Sequence, residues 1–216
     1  MLVPGVLVEA VGEECGVRFV YADPPYLGYG RLYTDNHPDS LVWDDPETHR
    51  RLIERLSDEW PDGWVLSLVS SNLHDILPMC PRDARIGAWV KPFASFKPGV
   101  PVAHAWEPVI FRGGRRRGRN EPTTRDWVAC NITLQRGLVG AKPRGFCHWV
   151  FDLLGAERGD TLDDLFPGTG AVTAAWRERS GEPHQMDFAP LFIPPPRVID
   201  PEDERCADLF AEPRDE

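Results

Sequence analysis

The sequence predicts an α/β chain built on a mostly parallel central sheet with helices on both faces. Three observations predict it. An apolar run, GVRFVYA, is followed by an amphipathic helix pattern and then by a second apolar run, WVLSLVS. Strand, helix, strand is the unit from which parallel sheets are made. Further on, TLDDLF passes through PGTG into AVTAAWRERS, which is strand, glycine turn and helix.

Each element has its own justification. Gly16–Ala22 is nearly continuous in apolar character, as a strand covered on both faces should be. The helix begins at Asp45, a capping residue, with Pro46 at the first helical position; Leu52, Ile53, Leu56 and Trp60 then recur on one face. Pro61, Asp62 and Gly63 stop it, and Trp64–Ser70 is the second strand. Shorter strands are expected over Ala84–Lys91 and Ala105–Arg112, separated by the proline-rich KPFASFKPGVPVAH; WVACNITLQ is ambiguous. In KPRGFCHWVFDLLG, Pro143 opens a helix whose apolar face is Phe146, Trp149, Val150, Leu153 and Leu154, and Gly155 ends it.

The chain of 216 residues is long enough for one domain with a real core, expected over residues 1–195. Residues 196–216 read as an acidic, proline-rich tail. No run of 18 apolar residues exists, and MLVPGVLVEA lacks a basic start with a long apolar core, so a cytoplasmic protein without membrane spans is expected. Five dispersed cysteines and six dispersed histidines favour free thiols and no metal.

The net charge of -10 is uneven. Against it stands FRGGRRRGRN, a loop carrying Arg112, Arg115, Arg116, Arg117 and Arg119. With the rest of the insertion over about 92–125, it is the expected contact for an anionic partner such as nucleic acid. A solvated loop is the alternative.

Two motifs carry chemistry. In LDDLFPGTGAV, Gly168 and Gly170 permit close backbone approach, Thr169 adds a hydroxyl, and a helix N-terminus follows. It matches neither GxGxxG nor GxxxxGK[ST]. Asp164 would put a carboxylate beside the turn, which suits a ligand bearing an ammonium group and a positive centre. The other motif is Asp23-Pro24-Pro25-Tyr26, directly behind the first strand. Prolines cannot donate backbone hydrogen bonds and hold their carbonyls at a fixed angle. An Asp carboxylate and a Pro carbonyl offer two acceptors for the two hydrogens of an exocyclic amine, and the Tyr ring offers a stacking face. Drawing both hydrogens toward acceptors favours a pyramidal nitrogen with its lone pair free to attack.

DPPY, the later WVKP, the KP-initiated helix and LDDLFPGTG resemble, in that order, the amino-methyltransferases that act on DNA adenine N6, in their permuted group with DPPY first and FxGxG last. The mRNA adenosine-N6 methyltransferases share the order. The resemblance covers roughly Phe19 to Asp187. It implies a Rossmann-like S-adenosylmethionine-dependent methyltransferase fold, with S-adenosyl-L-methionine as cofactor. It implies that Asp23, Pro24 and Tyr26, with Pro25 between them, hold a flipped adenine. It implies a cofactor site of Phe166, Gly168, Thr169 and Gly170, with Asp164 on the amino-acid portion, Lys142 near the methionine carboxylate and Asp187 on the ribose. The implied partner is nucleic acid, DNA first, with a homodimer or partner subunit left open.

RNA adenosine N6, DNA cytosine N4, a protein glutamine amide and a non-catalytic nucleic-acid-binding subunit are the alternatives. Ser70, Ser71 and Asn72 either line the pocket or cap a turn. Lys91 either reaches substrate or pairs with an acid. His104 and His148 are expected to be structural, and Trp43, Trp60 and Trp149 to be core.

Overall fold

A computed structural model of the chain describes residues 16–34, 38–93, 101–132 and 141–181. Six strands form one sheet: β1 (Arg18–Ala22), β2 (Gly63–Ser67), β3 (Arg85–Val90), β4 (Trp106–Gly113), β5 (Trp127–Ala129) and β6 (Thr161–Asp164). Their order across the sheet is β5-β3-β4-β2-β1-β6. β4 runs antiparallel to β3 and to β2, and the other three pairings are parallel. Five strands therefore point one way and β4 points back. Within the described part of the ambiguous WVACNITLQ, Trp127–Ala129 forms the short edge strand β5, and the strand expected over Trp64–Ser70 ends at Ser67, with a turn of 3-10 helix over Ser70–Asn72.

Among the described residues four α-helices accompany the sheet: α1 (Pro46–Glu59), α2 (Leu73–Ile76), α3 (Arg144–Leu154) and α4 (Ala171–Ser180). The start of α1 is as its residues dictate. The Asp45 carboxylate accepts the Glu47 N–H at 3.1 Å, and Pro46 occupies the first turn, where its missing N–H costs nothing. α3 ends because Gly155 turns left-handed (φ 63°), which lets the Ala156 N–H reach the Phe151 carbonyl at 2.9 Å.

Each sheet face has its own core. On one side Phe19, Tyr21, Val65, Val109 and Phe111 meet Phe146, Val150, Leu154 and Trp176 of α3 and α4. On the other Val20, Trp64, Leu66 and Ile110 meet Leu52, Ile53 and Leu56 of α1 and Ile76 of α2. That alternation explains the apolar runs FVYA of β1, WVLS of β2 and VIF of β4: both faces are covered there. Trp43, Trp60 and Trp149 all lie in these cores.

Asp187 and the tail over 196–216 lie outside the described residues. Among those described, no helix is long and apolar enough to cross a membrane, and no three His, Cys, Asp or Glu side chains are grouped to hold a metal.

Candidate functional site

The two motifs leave the sheet side by side. β1 and β6 are parallel neighbours with Tyr21 beside Asp164, and the Leu165 N–H still donates to the Tyr21 carbonyl at 3.1 Å. Two residues on, Asp23 and Phe166 emerge at the carboxyl ends of strands only ~4.8 Å apart. This is the end of an α/β sheet where ligands bind.

Lys142, just ahead of α3, reaches the first of them. Its ammonium lies 3.0 Å from Asp23 Oδ2 and 3.9 Å from Glu107 Oε2, and it donates to the Tyr26 hydroxyl at 3.4 Å. The rings of Tyr26, Trp89 and Phe146 surround it at 6.0, 5.8 and 5.7 Å. The Tyr26 hydroxyl has Asp23 Oδ1 at 3.4 Å and Glu107 Oε2 at 3.5 Å as acceptors. Glu107 is also bound by Lys91, whose ammonium sits 4.7 Å from the Trp89 ring centroid. Two lysines thus face two carboxylates in a largely enclosed cluster, and the charges balance. Removing any one of the four would leave an uncompensated charge out of water.

Ionisation follows from this packing. Burial pushes the Asp23 carboxyl up, and the adjacent Lys142 ammonium partly offsets it. Burial alone would lower Lys142, but the charges of Asp23, Tyr21 and Glu107 outweigh it and hold the ammonium protonated. Tyr26 is raised well above the ordinary phenol range by burial and by the nearby Asp23 and Glu107 charges, so it stays a neutral hydroxyl.

Beside this cluster, Pro167–Gly170 forms a tight turn, closed by the Gly170 N–H donating to the Pro167 carbonyl at 2.6 Å. Gly168 and Gly170 both take positive φ, 48° and 74°, a region L side chains avoid. A side chain on Gly170 would point into open space, with no atom within 4 Å. The turn is therefore bare backbone at the mouth of α4. Gly168 and Thr169 are exposed, whereas Phe166 is buried with its ring 5.1 Å from that of Trp43.

Asp164 is buried at the base of the turn. Its Oδ2 accepts the Thr173 hydroxyl at 2.8 Å, but Oδ1 has no hydrogen-bond partner. Burial raises its pKa to about 6, with Thr173 opposing and Asp23 adding to the rise. Nearby, the Asn72 amide donates to the Leu27 carbonyl at 3.2 Å while its Oδ1 is likewise buried and unsatisfied. Buried acceptors without donors are costly, and both fit a ligand that brings donors with it.

The arginine loop lies elsewhere. β4 is the reversed strand, so the chain after it emerges where the parallel strands begin: Gly113 pairs with Gly63, the first residue of β2. There Arg115 grips both oxygens of Asp160 at 2.6 and 2.7 Å, Arg112 binds Asp83 at 2.9 Å, and Arg117 donates to the carbonyls of Pro122 and Asp152. Arg116 and Arg119 are exposed at that same end. The structure thus brings Asp23, Pro24, Pro25, Tyr26, Lys142, Asp164, Phe166, Gly168, Thr169 and Gly170 to one end of the sheet and the arginine loop to the other.

The sequence argument missed Glu107 and Thr173. Glu107 had a signal, an acid inside the apolar strand AWEPVIF. Thr173 had none, because its contact depends on the helix placing it over Asp164.

No family model matches the chain, and no curated protein matches it in sequence. Among solved structures it is similar to M1.HpyAVI in complex with SAM, at 14% identity and a TM-score of 0.51, covering 76% of this chain and 79% of that one. TTHA0409 of Thermus thermophilus, assigned by name to the DNA modification methylases, is similar at 18% identity and a TM-score of 0.44, over 77% and 78% of the two chains. The chain has the mixed α/β fold of the first of these.

Proposed function

We propose that the chain is an S-adenosylmethionine-dependent methyltransferase acting on the N6 amine of adenine in DNA. The single observation carrying the proposal is the emergence of Asp23-Pro24-Pro25-Tyr26 and the Phe166–Gly170 turn from adjacent strands at one sheet end. Its fold is shared with a SAM-bound protein, which is consistent with that reading.

The residues present fit the cofactor. It carries an ammonium, and Asp164 Oδ1 is a buried acceptor lacking a donor. Its amino-acid portion needs backbone without side chains nearby, and the Gly168–Gly170 turn is open. Asp187, outside the described residues, would take the ribose. When bound, the cofactor supplies a methyl group on positively charged sulfur.

The chain's own residues do the rest. Asp23 and the Pro24 carbonyl accept the two amine hydrogens, and Tyr26 stacks on the base. Lys142 keeps Asp23 ionised, hence purely an acceptor. With the cofactor bound, the amine nitrogen so oriented would take the methyl group it supplies, and Asp23 would accept the proton that the amine gives up. Neither residue needs to act as a strong base, because the amine is made nucleophilic by orientation.

The test is incubation with labelled S-adenosylmethionine and duplex DNA, single-stranded DNA or RNA, followed by nucleoside mass analysis. Labelled N6-methyladenine from DNA is expected. Asp23→Ala should reduce transfer at least about 100-fold, the scale of losing one preorganised polar contact to a reacting group, while calorimetry shows cofactor still binding. Undiminished transfer by that variant would refute the assignment.

A further inference from the structure

Among the described residues, one sheet face is left uncovered on its β4-β3-β5 side. Side chains alternate along β3, so Gly87 and Trp89 turn toward α3, and Ile86, Ala88 and Val90 turn away from it. The register continues the same face: Val90 lies beside Trp106 and Ala129, and Ala88 beside Trp127. Ile86 is 41% exposed, Val90 36%, Trp106 39% and Trp127 45%. α1 and α2 cover this face only over β1, β2 and part of β4. Contiguous bare apolar surface of this kind marks a binding surface.

Two features select its occupant. One is charge: Arg82, Arg112 and Arg125 stand at its margin, with Asp83 paired to Arg112, in a chain of net charge -10. The Arg125 guanidinium lies 5.5 Å from the Trp127 ring centroid, a cation beside a flat apolar plate. The other is position. Trp106 and Glu107 are consecutive in β4, so Trp106 stands at the same end of the sheet as the candidate site but on the opposite face from Glu107, and its face runs from there toward the arginine end. Along six-residue β3 that is ~20 Å, room for a few nucleotides.

We infer that this face binds single-stranded nucleic acid, with bases stacked on Trp106 and Trp127 and phosphates toward Arg125, Arg82 and Arg112, leading the strand to Asp23. This rests on the proposal that the pocket takes a nucleobase. A duplex hides its ring faces and could not use the tryptophans; an unpaired strand offers one ring per nucleotide. A second copy of the chain would bring two positive margins together.

The test is fluorescence anisotropy with a fluorescein-labelled 15-nucleotide thymidine strand, against a duplex of equal length, at low salt on the full chain. The single strand should bind better than the duplex. Trp127→Ala and Trp106→Ala should each weaken it by about tenfold, the range of one lost stacking contact, and Ile86→Ala by less. Trp127→Phe keeps a ring and should retain most of the affinity, which guards against a misfolded alanine variant. Strand binding is read without S-adenosylmethionine and without methyl transfer, so this face can succeed where the methylation assay fails, and the reverse. Equal duplex binding, unchanged affinity in folded Trp127→Ala, or sedimentation showing a dimer that Trp127→Ala dissociates without strand binding would each overturn the inference.

Discussion

Asp164 holds a carboxylate in a place that suits it only when a cation is present. Burial raises its pKa to about 6, from an ordinary value near 3.8. The native state then binds more protons than the unfolded chain between pH ~4 and ~6, so this group's contribution to stability is present below pH ~4 and lost as pH rises through ~6. Asp164→Asn cannot ionise. The stability of that variant relative to the unmodified chain should therefore rise by about 3 kcal/mol between pH 4 and 7, as measured by urea denaturation at each pH. A bound ammonium favours the carboxylate, so cofactor affinity should fall as pH drops below ~6, as read by calorimetry in the full chain. Asp23 differs in having a cation already: burial raises its carboxyl too, but the Lys142 ammonium at 3.0 Å partly offsets the rise.

At the scale of elements, the turn between β6 and α4 and the turn after β4 show how two glycines with similar backbone differ. Gly170, at φ 74°, has open space where a side chain would go, whereas a Cβ on Gly113, at φ 73°, would meet the Asp62 carbonyl at 2.5 Å. Gly170→Ala carries only the left-handed penalty, about 1–2 kcal/mol, and should lower Tm by about 2–8 °C. Gly113→Ala adds a backbone clash and should lose more, or fail to fold. Scanning calorimetry on the two variants compares them directly. Because Gly170 also shapes the proposed cofactor turn, its variant should lose cofactor affinity too, while Gly155→Ala at the end of α3 should lose stability alone.

Across the described molecule, one end of the sheet is braced by ion pairs and the other holds the proposed site. At the braced end Asp160 accepts the N–H groups of Val17 and Glu157 at 2.9 and 2.8 Å and both hydrogens offered by Arg115. Burial would raise this carboxyl, but Arg115 and the two N–H groups hold it below its ordinary range. Its contribution is therefore present above pH ~4 and lost as pH falls through the lowered value. Asp160→Ala removes the acceptor shared by the Val17 and Glu157 N–H groups and the bidentate partner of Arg115, and should lower stability by about 3 kcal/mol at pH 7 in urea titration. Cofactor affinity should be unchanged, since the turn lies at the other end of the sheet.

The amino-acid order was enough to place β1, α1, β2, α3, β6 and α4, because each has a local cause: unbroken apolar runs for strands covered twice, an Asp-Pro start for α1, a left-handed glycine at the end of α3. It was also enough to pick out Asp23-Pro24-Pro25-Tyr26 and the Gly168–Gly170 turn, which the structure brings to one end of the sheet, since proline fixes and glycine frees the backbone wherever they stand. What it could not supply was direction. Whether an arginine loop faces a pocket depends on which way the preceding strand runs, and only sheet pairing reversed β4 and sent that loop to the far end. The same pairing carried Glu107 to Tyr26, set Lys142 on Asp23, and left Trp106 and Trp127 bare on one face. Contacts between residues more than eighty positions apart are made by packing, and no local pattern encodes them.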